Sequence, residues 1–425
     1  MKRLNFIKQA AVLLLSAACN NVSNDRTLIQ VIDIESNVDN WQVANLSSFA
    51  KNILYVPLQT IDSLALQGNG RMVFSENLIL VRDGKNCLLY DFKGNFISKI
   101  GNQGKGPGEY MYISDMGIVP GSEPKIYLSQ IVDILEYNME GTFVNRYENS
   151  LSINDTSAAQ RWEIIRDSLI FGHVDNNTGK VKLKAVIKNK YGKIIKGFKN
   201  YDLLNRSAGG PEREVSIYPF KNLIYYKELE NDTLFYLDNN NELISEYVFN
   251  LGKYKEPSSE RILFPQGPSF FEYLHVWYAF QTEDQLFINC QYGNRFPAKR
   301  LSAISIGPGA PETMFNTTYA LGIYNKKTKK LFFCKPTNTD NPLFTTGIYN
   351  DFDAGPRFFP QAQVNDSTLV MWMTSFDLKM HIQSDDFKNN NPKFPEKKKE
   401  LQETSDKLTY YDNPVMMLVT FKKFN

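Results

Sequence analysis

The sequence predicts an all-β chain, a six-bladed β-propeller of four-stranded antiparallel blades. Three observations predict it. A hairpin recurs with its turn residue at Gly94, Gly141, Gly192 and Asn241, spacings of 47, 51 and 49 residues. Each interval of about 50 residues divides into four short apolar runs, the content of one blade. The aromatic residues are 29 Phe and 23 Tyr against 4 Trp, and Phe, Tyr and β-branched side chains favour pleated strands. A sandwich gives no reason for a hairpin at even spacing.

Taken in order, the chain opens with Lys2, Arg3 and Lys8, then the apolar run Ala10–Leu15, then Ser16-Ala17-Ala18-Cys19. A basic region, an apolar region and small residues before a cut mark a targeting segment. With cysteine after the cut, the pattern resembles a bacterial lipoprotein signal. It implies a signal peptide over 1–18, lipidation of Cys19, a polar tether over 19–27 and a body over 28–425. The expected location is the cell envelope, as an outer-membrane lipoprotein held to the membrane by acyl chains. Without Lys2, Arg3 and Lys8 the 48 basic residues become 45 against 46 acidic ones. So balanced a chain carries no electrostatic footprint for nucleic acid.

The body begins with two strand-like runs, Leu28–Ile34 and Ile53–Pro57, one of which should close the ring, because an open sheet edge is a liability. Blade one is expected from strands at 72–74, 78–81, 88–90 and 96–100, and blade two from 116–119, 126–128, 134–137 and 143–147. Blade three reads as 163–165, 169–172, 185–187 and 194–198, and blade four as 216–218, 223–226, 234–237 and 244–248. At the shared turn, glycine or asparagine tolerates the left-handed backbone that a tight hairpin needs. Past residue 250 the phasing loosens. Phe270–Phe280 reads as a short helix or an inner strand, 286–289 and 321–324 as strands, and 292–318 as an insertion. The last blade draws on 360–364, 369–373 and 414–421. A polar insertion lies at 384–407, with a brief exposed helix over Glu396–Glu403.

The stretch Gly101–Val144, GNQGKGPGEYMYISDMGIVPGSEPKIYLSQIVDILEYNMEGTFV, resembles an NHL-type propeller repeat. Lys99–Tyr110, with Tyr55-Val-Pro-Leu58 and Asn413-Pro-Val-Met-Met-Leu418, looks like the signature of six-bladed β-propeller lipoproteins of Bacteroidetes. The resemblance implies a lipid-anchored envelope propeller acting as a binding protein.

In such a ring the loop 101–110 joins the outer strand of one blade to the inner strand of the next, on the face where propellers take ligands. Lys105, Glu109 and Tyr110, with Asp115 just beyond, are therefore the candidate ligand-binding residues, and Asp133 is a companion candidate to Asp115. The plain alternative is that the glycines shape the crossing, Tyr110 packs between blades and Asp115 caps a hairpin. The glycines do not make a phosphate loop, since no Gly-Lys-Ser/Thr opens a helix. His173, His275 and His381 are far apart, and no H-E-x-x-H or G-x-S-x-G is present. Cys87, Cys290 and Cys334 sit in apolar runs and read as buried thiols. Trp41, Trp162, Trp277 and Trp372 would form a sugar-stacking platform if exposed, but three of the four sit among apolar neighbours, which favours core packing.

The leading expectation is a non-catalytic binding protein for a glycan, peptide or protein partner on the loop face, with no cofactor. The alternative is a metal-assisted enzyme of lyase, lactonase or hydrolase type, with Ca2+ in the channel. That needs several Asp, Glu or Asn side chains to converge there. A further alternative is a structural scaffold.

Overall fold

A computed structural model describes residues 29–423 except 62–63, 67–69, 76, 131–132, 149–158, 166–168, 177–178, 190, 204–214, 259–267, 294–300, 305–312, 317–318 and 337–345. The signal, the tether and Cys19 lie outside the described residues. Six antiparallel blades form a ring. Blade one comprises Arg71–Ser75, Leu78–Asp83, Asn86–Asp91 and Phe96–Lys99. Blade two comprises Asp115–Val119, Lys125–Ser129, Asp133–Tyr137 and Phe143–Glu148. Blade three comprises Ala159–Ile165, Leu169–Val174, Leu183–Asn189 and Ile194–Lys199. Blade four comprises Val215–Phe220, Leu223–Glu228, Thr233–Leu237 and Leu243–Asn250.

Blade five resolves the ambiguous aromatic stretch into both of its readings. A 3-10 turn over Pro268–Glu272 leads into the inner strand His275–Gln281, followed by Gln285–Gln291, Tyr319–Asn325 and Lys330–Cys334. The insertion within this blade carries its own hairpin, Leu301–Ile304 with Thr313–Asn316.

Of the two N-terminal runs, the second closes the ring. Ala50–Pro57 is the outer strand of blade six, antiparallel to Val415–Phe421, which follows Ala362–Gln363 and Thr368–Met373. The first run, Gln30–Asp33, instead adds a parallel fifth strand to blade four against Tyr247–Asn250. Trp41–Gln42 does the same for blade five against Phe333 and Cys334. The N-terminal segment thus covers the outer edges of two blades before it joins a third.

Alternating apolar residues on each strand send side chains toward both neighbouring blades, so the core lies between blades. Leu80, Leu89, Tyr110, Leu128 and Tyr137 pack between blades one and two, and Phe171, Ile187, Tyr226 and Leu237 between three and four. The insertion after Met373 is helical: Ser375–Gln383, Asp385–Asn389 and Pro395–Asp406. The Thr374 hydroxyl caps the first helix by accepting from the Asp377 amide at 3.0 Å. Leu401 and Ser405 are buried, so the last helix is longer than expected and lays one face on the body.

Candidate functional site

Blades one and three to six line a central cavity of 610 Å3, and blade two stands behind its wall. That volume lies within the range of small-molecule sites. Its two walls differ in chemistry. Blades one and three supply a charged wall, and blades five and six an aromatic one.

The charged wall is organised by Asp115, the first residue of its inner strand and fully buried. Its Oδ1 accepts from the Met116 amide and its Oδ2 from the Trp162 amide, both at 2.8 Å. The same carboxylate forms an ion pair with Arg71 of blade one and stands 4.0 Å from the Arg161 guanidinium of blade three. One buried carboxylate therefore ties three inner strands together. Trp162 packs over Gly117, where an added Cβ would lie 2.8 Å from the indole. Directly opposite Arg71 on the next strand is Arg82, whose guanidinium donates to the Ile113 carbonyl.

Glu163, half-buried on the same wall, has its pKa pushed up to about 7 by burial, then by repulsion from Asp115, with Arg71 opposing. Its ordinary value is 4.5, so the folded chain holds this proton more tightly than the unfolded one. The associated stability is fully present below pH 4.5 and is lost as pH rises through 7. Relative to Glu163→Gln, the wild type should lose about 1–2 kcal/mol across that window in urea melts, after allowing for solvent in the channel. Parallel stability profiles for the two proteins would contradict this assignment.

The aromatic wall is built from Trp277, Tyr278, Phe359 and Trp372, joined by Tyr319. Trp277 and Trp372 are half-buried at the cavity, which corrects the expectation that they are core; Trp162 is core. A register shift between Val276 and Tyr278 makes Trp277 the extra residue of a β-bulge. Bulges re-aim side chains and are common beside functional sites. The Trp277 Nε1 donates to Gln291 Oε1 at 3.0 Å, which fixes the ring. A second shift, between Ala159 and Arg161, precedes the arginine of the opposite wall.

Of the residues expected from sequence, Asp115 stands behind the channel wall, fully buried against Arg71 and Arg161, and does not itself line the cavity. Lys105 is exposed on its loop. The Glu109 carboxylate accepts from the Gly106 amide at 2.8 Å and fills the space that Gly104 leaves. Tyr110 is buried between blades and donates its hydroxyl to the Lys85 carbonyl at 2.9 Å. Asp133 begins the third strand of blade two, two strands out from the inner strand at the channel, and pairs with Arg146 at 3.5 Å.

The three histidines are buried in separate packing environments. His173 Nδ1 lies 2.7 Å from the Tyr226 hydroxyl, and burial pushes its pKa down to about 4. His275 and His381 contact the carbonyls of Phe270 and Ala354 at 3.0 and 2.9 Å. Cys87, Cys290 and Cys334 are free, buried thiols, and burial raises the pKa of each. Among the described residues no three His, Cys, Asp or Glu side chains come together to hold a metal.

Sequence reasoning missed Arg71, Arg82, Arg161, Glu163 and Asn289, and it weighed Trp277 and Trp372 as a sugar platform but set them aside as core. A usable signal existed: charged residues at or near the start of the first three inner strands, Arg71, Asp115 and Arg161, where a buried strand edge would ordinarily be apolar.

A family model described as a domain of unknown function (DUF4934) matches residues 29–420. Among solved structures, a Bacteroides fragilis protein described as exported is similar at a TM-score of 0.64 and 17% identity, over 93% of this chain and 100% of its own. A DUF4221 member from Bacteroides vulgatus gives 0.48 and 12%, over 88% and 97%. Virginiamycin B lyase from Staphylococcus aureus gives 0.35 and 12%, over 68% and 89%. No curated protein matches the chain.

Proposed function

The chain belongs to the DUF4934 family, and from that premise we propose that it is a lipid-anchored cell-envelope propeller that binds a glycan in its central channel without converting it. The observation that carries this reading is the 610 Å3 cavity with rings on one wall and guanidinium groups on the other. Sugar rings present apolar C–H faces that pack on aromatic side chains, while their hydroxyls need a few placed polar partners. Gln361 and Asn289 stand among the aromatic residues to serve them. The envelope location is supported by the N-terminal lipoprotein pattern and by the similar Bacteroides fragilis protein, which is described as exported.

The test is a thermal-shift screen of glycan and peptide pools. A ligand present at about 100 times its dissociation constant adds about 2.7 kcal/mol of stability. A glycan should raise the transition of the wild type and leave Trp277→Ala and Trp372→Ala unmoved. A shift that survives both substitutions would place binding outside the channel and end this reading.

A second reading has one observation in its favour. Glu163 holds a proton near neutral pH inside the channel, which suits proton transfer in a lyase or hydrolase. Chromatography of the glycan mixtures after incubation separates the two. Products that form with wild type and vanish with Glu163→Gln would establish the enzyme; intact glycans support the binding protein.

A further inference from the structure

We infer that the channel's ligand is an acidic sugar, a hexuronate whose carboxylate seats at Arg71 and Arg82; this rests on the glycan-binding reading above. Arg71 and Arg82 are cross-strand partners in blade one. Like charges directly opposite each other in a sheet repel. Arg82 meets a neutral carbonyl, that of Ile113, and Arg71 shares Asp115 with Arg161. Asp115 has both oxygens engaged by backbone amides as well. A sheet that keeps two guanidinium groups side by side at a cavity lip is built for a third party carrying negative charge.

The charge count agrees. Among the described residues, three guanidinium groups and two carboxyl groups line or touch this wall. The guanidinium groups outnumber the carboxyls, and Glu163 keeps its proton up to about pH 7, so the wall retains positive charge for an anion. Planar guanidinium forks also match a carboxylate edge. Gly70 precedes Arg71 and lines the cavity without a side chain, where an added Cβ would lie 2.4 Å from the Arg82 carbonyl.

The other end of the ligand is marked by Asn289 of blade five, which lines the same cavity. It is 8% exposed, and its Oδ1 has no hydrogen-bond partner among the described residues. A buried acceptor left unpaired is costly, and a ligand hydroxyl satisfies it. Carboxylate at one wall, hydroxyl donor at the other and a C–H face against Trp277 together describe a uronic acid ring.

The test is titration calorimetry of the protein with galacturonate and glucuronate oligosaccharides, their neutral galactose and glucose counterparts, and inorganic phosphate. A uronate oligosaccharide should bind about tenfold or more tightly than its neutral counterpart, the scale of a charge-assisted contact. Arg82→Gln should erase most of that preference and Arg82→Lys retain part of it. Equal affinity for acidic and neutral sugars, both lost in Trp277→Ala, would overturn the carboxylate seat and leave the glycan channel standing. Binding of neither sugar, phosphate competing as well as uronate, or an unchanged preference in Arg82→Gln would each overturn the assignment.

Discussion

Replacing Asp115 with alanine should destabilise the protein by about 3–5 kcal/mol, the cost of breaking a buried pair and stranding its partner. The carboxylate is fully buried and is the shared counter-charge of Arg71 and Arg161. Removing it leaves Arg71 facing Arg82 across the sheet with the neutralising group gone. It also takes the acceptor from the Trp162 amide, which reaches Asp115 from the next blade. Three inner strands lose their common tie at once. Asp115→Asn keeps an acceptor oxygen but not the charge, so its cost should fall between wild type and alanine. Urea denaturation followed by tryptophan fluorescence reads both. A loss under about 1 kcal/mol for alanine, the scale of an ordinary single hydrogen bond, would show that the arginines are held by something else.

Gly141→Val should cost about 3 kcal/mol, from a β-branched residue forced to a left-handed backbone and from overpacking. Gly141 has φ +79°, and a Cβ there would lie 2.0 Å from the Lys99 carbonyl oxygen of blade one. Its own carbonyl accepts from the Gly101 amide at 3.2 Å. Gly94 repeats the arrangement one blade earlier, with φ +85°, the Pro57 carbonyl at 2.0 Å and the Gln59 amide donating at 2.8 Å. The turn glycine of a blade is therefore also its contact with the chain leaving the previous blade. Asn241, with φ +62°, holds the matching turn in blade four. Asn241→Val should cost less, about 1–2 kcal/mol, from the backbone alone. Equal losses for the two valines in the same denaturation experiment would remove inter-blade crowding from the account.

That double duty explains why the ring was legible. The hairpin spacing is set by a residue that serves both a local turn and a neighbouring blade, so it returns wherever a blade does. Strands read from apolar runs land within a few residues: 78–81 became Leu78–Asp83, and 234–237 became Thr233–Leu237. Blade five was harder because its aromatic density suits a helix and a strand alike, and the chain uses both. Nor did Leu28–Ile34 show whether it would close the ring. Parallel addition to blade four depends on an edge more than 200 residues away, as the pairing of Gln30 with Tyr247 shows.

By itself, then, the chain determined its blades. Turn chemistry and strand alternation act over a few residues, and each blade's content is written contiguously. Asp115 was within reach for the same reason, standing at the start of a readable inner strand. The channel was decided only in three dimensions. Arg71, Arg161 and Trp277 each look like an ordinary strand residue in their own segment. They become the walls of one cavity because closure of the ring by Ala50–Pro57 brings six separate strand edges around a common axis. Charge repulsion, bulge direction and an unpaired amide oxygen have meaning only once those edges face one another.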